Sequence, residues 1–236
     1  MVYMITIYAV NISKPLPDVQ FHSYLQKIPE DKQKRIQAFL RREDATRALI
    51  GQILLRIIIQ DMLGIPGNVI SFEQNKYGKP SLKNNEGFHF NLSHSGDWVV
   101  LAVDSRQIGI DVERIKDMDM DVAKRFFSPR EYNDLIARPA ALRIEYFFDL
   151  WTLKESYIKA IGKGLSQPLD SFAMVFEKGK IRIFKDDSKE WFFRQYPIAP
   201  GYKLSVCAAS DNFPERIVNK TADSLYNDFV RLQDNW

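Results

Sequence analysis

The sequence predicts an α+β fold built from two similar subdomains. Helical and strand patterns alternate along the 236 residues, and each half has a long helix followed by a short strand, a turn and a closing strand. The two closing strands, at 98–105 and 202–210, have similar residue patterns. We therefore expect a pseudo-twofold duplication, with a small, mostly antiparallel sheet packed on a long helix in each half. The active site should lie in the cleft between the halves.

The elements follow from hydrophobic periodicity and from start and stop signals. Gly64 and Pro66 end the first long helix, and Ser128, Pro129 and Glu131 form a capping-box pattern. Helices are predicted at 19–28, 30–40, 43–63, 122–127, from 128, and at 140–161. Strands are predicted at 2–10, 69–73, 88–91, 98–104, 108–113, 172–177, 180–184, 191–196 and 202–209. We divide the chain into subdomains 1–105 and 106–215 and a C-terminal extension, 216–236.

The composition excludes several classes of protein. Hydrophobic residues make up 45% and charged residues 27%, which rules out wholesale disorder. The net charge of +3 is too small to indicate a nucleic-acid-binding protein. The single cysteine, Cys207, cannot form an internal disulfide. No stretch approaches the ~18 apolar residues of a membrane span, and the N-terminus lacks the basic segment of a signal peptide. We expect a cytoplasmic protein with no membrane or nucleic-acid partner.

Acidic side chains alternate along the strand 108–113. Ile108, Ile110 and Val112 should face the core, so Asp111 and Glu113 share the opposite face, roughly 7 Å apart by strand rise. Gly109 precedes them on that face and should leave open space beside them. Two such carboxylates can converge on one hard cation. The alternative is an exposed acidic face of a sheet.

A second pair of charged residues lies on the helix 140–161. Leu153 and Tyr157 belong to its apolar face, whereas Glu155 and Lys159 lie one turn apart on the opposite side. The pair can supply a third metal carboxylate beside a phosphate-binding ammonium. The alternative is a solvated ion pair worth a few tenths of a kcal/mol. Lys154 lies nearer the apolar side, and we assign it no role.

Phosphate-binding chemistry is available at two further places. The strand ending at Asn91 should run into a polar turn at 91–96, where Ser93, His94 and free backbone N–H groups can grip a phosphate. A plain hairpin turn is the alternative. A Ser-His nucleophile pair is disfavoured because no partner acid is evident, and a zinc site is disfavoured because no second Cys or further His supports it. The second place is a basic cluster between residues 27 and 47, which could hold a multiply phosphorylated ligand. A solvated helix face is the alternative for most of its members individually: Lys27, Lys32, Lys34, Arg35, Arg41, Arg42 and Arg47.

Together these segments resemble the surfactin-type 4′-phosphopantetheinyl transferases. Two motifs of that family are present in order, a Gly-Ile-Asp-x-Glu strand at 109–113 and a Trp-Thr-x-Lys-Glu-Ser-x-x-Lys helix at 151–159. Further matches are the Asn-x-Ser-His-Ser-Gly segment at 91–96 and the Tyr-Gly-Lys-Pro turn at 77–80. The similarity spans roughly residues 1 to 215.

The resemblance implies a reaction and its residues. A carrier-protein serine attacks the β-phosphate of coenzyme A, the phosphopantetheine arm is transferred, and adenosine 3′,5′-bisphosphate leaves. Asp111, Glu113 and Glu155 match metal ligands for Mg²⁺, with Mn²⁺ as an alternative. Lys159 matches the phosphate-contacting lysine, and Glu155, acting directly or through a metal-bound water, is the candidate base for the serine hydroxyl. The remaining matches are to positions that bind coenzyme A: Lys32, Arg35, Arg47, Lys79, Ser93, His94, Asp111 and Lys159.

Some expectations from the resemblance concern partners and departures. The partners should be apo peptidyl or acyl carrier proteins, and the resemblance favours those of nonribosomal peptide and antibiotic biosynthesis. The enzyme should be a monomer. Apolar residues at 118–127, with Lys124 and Arg125, are a candidate docking surface. The sequence departs from one family member at two positions. Arg35 stands where that relative has a lysine, and Ala48 stands where it has a residue with a hydroxyl group.

Two rival functions remain open. A metal-dependent nuclease would need an extended basic track, which the small net charge disfavours. A non-catalytic coenzyme A or carrier-protein binding module would be expected to lose one of the three acids, and all three are present.

Overall fold

Two small sheets lie at the centre of the fold in the computed structural model, which describes residues 4–184 and 190–232. The elements of the first half are β1 (Thr6–Asn11), α1 (Asp18–Leu25), α2 (Glu30–Gln37), α3 (Arg42–Leu63), β2 (Phe72–Gln74), β3 (Pro80–Leu82), β4 (His89–Ser95) and β5 (Trp98–Asp104). Those that follow are β6 (Ile108–Arg114), α4 (Asp121–Phe126), α5 (Pro129–Ala137), α6 (Ala140–Ile161), β7 (Ala173–Glu177), β8 (Lys180–Phe184), β9 (Phe192–Tyr196), β10 (Tyr202–Ala208), β11 (Val218–Thr221) and α7 (Ala222–Leu232).

The layers run helix, sheet, sheet, helix. The first sheet has the strand order β11-β1-β5-β4 and the second β6-β10-β9, while β2–β3 and β7–β8 are separate pairs. Alternate residues of β1 and β5, such as Ile7 and Val100, share a buried core with Ile110 and Val206 of the second sheet. The opposite face of the first sheet packs on α3, and that of the second sheet packs on α6. The predicted α+β class is confirmed.

The two long helices have the same length and the same ending. Each is 22 residues long, and Gly64 and Gly162 follow them in the left-handed conformation, with φ of 67° and 68°. A side chain at either position would strain the backbone, so glycine ends each helix cleanly. The capping box of Ser128 and Glu131 also forms as predicted. No helix in the described part of the chain combines the length and apolar character needed to span a membrane.

The C-terminal extension has structure that the sequence analysis did not assign. Strand β11 pairs in parallel with β1, and Leu225 and Phe229 of α7 enter the core of the first half, where Phe229 packs edge-on against Tyr24. The extension therefore completes the first half of the fold. Residues 2 and 3 of the predicted first strand and residues 233–236 of the extension lie outside the described residues.

Lys154 forms a buried ion pair that fixes α6 in place. Its Nζ lies 2.8 and 2.6 Å from the two carboxylate oxygens of Glu131 and 2.7 Å from the carbonyl oxygen of Phe172. Glu131 also accepts hydrogen bonds from the backbone N–H groups of Ser128 and Met174. Burial lowers the pKa of Lys154 to about 8. Because every partner is hydrogen-bonded, the pair ties α5, α6 and β7 together.

Asp104, at the end of β5, gives the fold a predicted dependence on pH. Its carboxylate is 2% exposed and accepts hydrogen bonds from the Ser105 N–H and the Ser210 hydroxyl. Burial raises the pKa of Asp104 above its ordinary value. The native state therefore binds this proton more tightly than the unfolded state, and stability falls as pH rises through the interval between the two pKa values.

We expect Asp104→Asn to raise the Tm at pH 7, because the amide keeps an acceptor oxygen and has no charge to bury. Thermal unfolding followed by circular dichroism from pH 4 to 8 checks this. The gain over the native chain should grow with pH. A variant with the same or a lower Tm at pH 7 would contradict the prediction.

Candidate active site

The carboxylates of β6 meet the charged face of α6 at the junction of the two halves. Lys159 Nζ lies 2.5 Å from Asp111 Oδ1 and 3.1 Å from Ser93 Oγ, and Ser93 Oγ lies 2.9 Å from the same Asp111 oxygen. Three elements, β4, β6 and α6, therefore each supply one side chain to this contact. The residues predicted from three separate sequence motifs lie together.

Gly109 allows this approach of helix and strand. A Cβ built at Gly109 would lie 3.0 Å from the Ala160 Cα and even closer to the Ala160 nitrogen and the Ser156 carbonyl oxygen. The expectation that Gly109 leaves open space beside the acids is wrong, because the α6 backbone fills that space. This close approach brings Glu155 and Lys159 beside Asp111.

Side chains of β4 join the two sheets. The Ile110 N–H donates to Asn91 Oδ1 at 2.8 Å, the Val112 N–H to Ser93 Oγ at 3.4 Å, and the Arg114 N–H to Ser95 Oγ at 3.1 Å. The predicted strand end at Asn91 is therefore wrong: β4 continues through Ser95, because its alternate polar side chains find partners on the edge of β6.

Two members of this ladder, Asn91 and Ser95, were not singled out as site residues. Ser95 Oγ donates to Glu113 Oε2 at 2.8 Å and so holds the second acid of β6. The signal was the period-2 repeat of Asn91, Ser93 and Ser95, which indicates one polar strand face.

All three carboxylates have raised pKa values, with burial as the largest cause for each. Burial, followed by the charge of Asp111, raises the pKa of Glu155 to about 7, and the same two causes raise the pKa of Glu113. Burial also raises the pKa of Asp111, although Lys159 acts in the opposite direction. The cluster of Asp111, Glu113 and Glu155, called here the carboxylate cluster, therefore holds more negative charge than Lys159 alone can balance.

This imbalance suits a cation. Asp111 Oδ2 is buried without a hydrogen-bond partner among the described residues. Within residues 4–184 and 190–232, no three His, Cys, Asp or Glu side chains are grouped so that they could hold a metal by themselves. Mg²⁺ does not need such a cage, since it usually binds through one or two carboxylates together with substrate phosphates and water. The oxygen donors of the carboxylate cluster fit that requirement.

A cavity of about 270 Å³ adjoins the carboxylate cluster. Five of the predicted binding residues line it, and we call it the basic cavity: Lys32, Arg35, Arg47, Ser93 and His94. Burial, followed by the charges of Arg47 and Lys159, lowers the pKa of His94, so the imidazole is neutral near pH 7. Ala48, which stands where a relative has a hydroxyl residue, also lines the cavity. The cations make it suitable for an anionic ligand.

The turn beside the basic cavity is held from both halves of the chain. Arg47 Nη1 donates to the Gly96 carbonyl at 2.8 Å and its other terminal nitrogen pairs with Asp44. On the other side, the Asp97 N–H donates to the Tyr202 hydroxyl at 3.0 Å. No local sequence pattern around Tyr202 indicates this contact, because its partner is distant in sequence.

Lys79 lies apart from the basic cavity. Its Nζ donates to the carbonyl oxygens of Ile108 and Ala160 at 3.0 and 2.9 Å, and it lines a separate cavity of about 170 Å³. Burial lowers the pKa of Lys79 to about 8. In this arrangement the ammonium ties the C-terminal end of α6 to the start of β6.

Comparison with known proteins places the chain in a family. Residues 14–106 match the model "4′-phosphopantetheinyl transferase, N-terminal", and residues 107–207 match the "4′-phosphopantetheinyl transferase superfamily". The chain is 40% identical over 221 residues to the 4′-phosphopantetheinyl transferase Sfp of Bacillus subtilis (strain 168), covering 93% of this chain and 99% of that protein. It is 36% identical over 206 residues to the 4′-phosphopantetheinyl transferase gsp of Aneurinibacillus migulanus, covering 87% and 86%.

A solved structure is similar to part of the fold. The holo-[acyl-carrier-protein] synthase of Thermotoga maritima covers 43% of this chain and 61% of its own, with 20% identity and a TM-score of 0.38. The two family models together span most of the chain, and the sequence relatives match it nearly end to end. The chain belongs to the 4′-phosphopantetheinyl transferases.

Proposed function

We propose that this enzyme transfers the 4′-phosphopantetheine group of coenzyme A to a serine of an apo peptidyl or acyl carrier protein and releases adenosine 3′,5′-bisphosphate. The observation that supports this most is the position of Ser93. It lines the basic cavity and also bonds to Asp111 of the carboxylate cluster. An anion-binding cavity therefore opens directly beside carboxylates suited to a metal and to proton transfer.

The charges of the site suggest how coenzyme A binds. Its nucleotide end has a 3′-phosphate and a diphosphate, and Lys32, Arg35 and Arg47 can neutralise phosphate oxygens from the walls of the basic cavity. His94 and Lys159 follow toward the carboxylate cluster, where the diphosphate would lie. Lys79 was included among the binding residues, and its bonds to two carbonyls support a role in holding α6 instead.

The chemical step requires a base and charge neutralisation. The serine oxygen attacks the β-phosphorus, and the bond from that phosphorus to the bridging oxygen breaks, so the electron pair leaves with adenosine 3′,5′-bisphosphate. The serine proton passes to the Glu155 carboxylate, whose pKa of about 7 suits a base near neutral pH. Lys159 stabilises the charge that develops on the phosphate oxygens. Asp111, Glu113 and Glu155 would hold a Mg²⁺ ion, or Mn²⁺ in its place, together with phosphate oxygens and water, and the ion would neutralise charge on the diphosphate.

Intact-mass spectrometry tests the function. Several apo carrier proteins, from peptide, polyketide and fatty-acid synthases, are incubated with the enzyme, coenzyme A and Mg²⁺. We expect at least one to gain the mass of a single phosphopantetheine, with no gain when coenzyme A is omitted. If coenzyme A binds in calorimetry and no carrier gains mass, the chain is the alternative, a non-catalytic binding module.

We also propose that the enzyme acts as a cytoplasmic monomer on carriers of nonribosomal peptide synthesis. Both halves of one chain supply residues to the site, which supports a monomer, and light scattering after size exclusion checks the mass in solution. Of the candidate docking segment, Phe127 is 2% exposed and belongs to the core, while Phe126 is partly buried against Trp151. The subdomain boundaries after residues 105 and 215 stay predictions.

A further inference from the structure

A guanidinium is buried in the middle of α3. Arg56 is 1% exposed, and its Nη1 donates to Gln52 Oε1 at 2.9 Å. Its Nε has no hydrogen-bond partner among the described residues. Gln52, Arg56 and Gln60 are each four residues apart on α3 and so lie on one side of a helix that is otherwise largely apolar and buried. A buried, incompletely paired cation lowers stability, so its presence points to a purpose other than packing.

The contact with Arg56 fixes which end of the Gln52 amide faces which way. A guanidinium has only donors, so the amide oxygen must face Arg56. The Nε2 group, with its two N–H donors, is then turned away from Arg56, and it has no acceptor among the described residues. Gln52 also lines the basic cavity, together with Lys32, Arg35 and His94.

We infer that Arg56 is a positioning residue that holds the amide N–H groups of Gln52 ready to donate to an acceptor atom in the adenosine 3′,5′-bisphosphate moiety of coenzyme A. This inference rests on the proposed function, because it assumes that this end of coenzyme A occupies the basic cavity. The side chains of Lys32, Arg35 and Arg47 also offer only hydrogen-bond donors. With Gln52 oriented in this way, the cavity wall favours ligand atoms that accept hydrogen bonds and disfavours ligand atoms that donate them.

The substitution Gln52→Glu separates the two ends of the amide. A carboxylate still accepts from Arg56, so the fold should be retained. The cavity loses two donors and gains a negative charge next to the bound phosphates. We expect the calorimetric Kd for adenosine 3′,5′-bisphosphate and the KM for coenzyme A each to rise at least 10-fold, with kcat changed less than twofold. Gln37→Glu is the matched control, because Gln37 is exposed on α2 and does not line the cavity; its Kd should stay within twofold.

The substitution Arg56→Met tests the positioning role. Methionine replaces the buried cation with an apolar chain, so stability should be kept or improved. We expect the Kd for adenosine 3′,5′-bisphosphate to rise about fivefold with the Tm maintained. In this background, adding Gln52→Ala should raise the Kd by less than a further twofold, because the two residues act as one unit. A change in Tm with no change in Kd would show that Arg56 is only structural and would overturn the inference.

Wild-type measurements separate the inference from the function it rests on. If the unmodified enzyme neither binds adenosine 3′,5′-bisphosphate nor modifies a carrier, the proposed function fails. If it does both and Gln52→Glu binds with an unchanged Kd, only the inference fails, even if Arg56→Met does not fold. Dephospho-coenzyme A identifies the acceptor: equal KM increases for it and for coenzyme A place the contact on the adenosine, whereas an increase for coenzyme A alone places it on the 3′-phosphate.

Discussion

Replacing Glu155 by glutamine should lower the rate of carrier modification about 10²–10⁴-fold, the range typical for loss of a general base. Glutamine keeps the size of the side chain and cannot take the serine proton. It also removes one of the three acidic groups of the carboxylate cluster, the one whose pKa is raised to about 7. Coenzyme A binding should survive, because the basic cavity is unchanged and one repulsive charge near the diphosphate is gone. The measurements are initial rates by mass spectrometry and a calorimetric Kd.

Glu145→Gln is the matched control for this experiment. Glu145 lies on the same helix, with an exposed carboxylate 3.7 Å from Lys203 and away from Asp111. The same change of one charge on α6 should leave the rate within twofold. A Glu155→Gln enzyme with the rate of the native chain would remove Glu155 from the mechanism and with it the proposed path of the serine proton.

Replacing Gly109 by alanine should destabilise the fold by about 3 kcal/mol or more, because the added methyl group would overlap backbone rather than a movable side-chain end. The atoms that it meets belong to the backbone of Ser156 and Ala160 near the C-terminal end of α6, so this part of the helix must move away from β6. For a chain of this length we expect the Tm to fall by roughly 6–12 °C. The same movement separates Glu155 and Lys159 from Asp111, so activity should be lost even in the fraction that remains folded.

Gly87→Ala shows whether the loss is specific to that position. A Cβ at Gly87 would have only Asn85 Oδ1 nearby, at 3.9 Å, which is ordinary contact. Its Tm and activity should match those of the native chain. If the Gly109→Ala protein has the same Tm as the native chain, α6 does not pack on the β6 backbone as described.

The sequence was most informative where the cause of structure is local. The length and ends of α3 and α6 follow from apolar periodicity and from Gly64 and Gly162, which accept the left-handed conformation that stops a helix. The facing of Asp111 and Glu113 away from the core likewise follows from the two-residue period of a strand. These features need no knowledge of what lies across the sheet.

Features that depend on partners distant in sequence were not predictable in this way. The space beside Gly109 is filled by α6, which is distant in sequence, and the bond that extends β4 beyond Asn91 is to Ile110 in the other half of the fold. Lys154 had no assigned role because its partner Glu131 lies on a different helix. In each case the type of the residue is evident from the sequence, but the identity of its neighbour in the fold is not.

The pairing of β11 with β1 joins segments separated by nearly the full length of the chain. Tyr8 pairs with Val218, so the first sheet gains its outer strand only after the roughly two hundred intervening residues have been synthesised. Until then β1 presents an open edge and the core lacks Leu225 and Phe229. Closing so long a loop slows folding and prolongs exposure of that edge. During synthesis on the ribosome, the first half should therefore depend on chaperones for longer than the second.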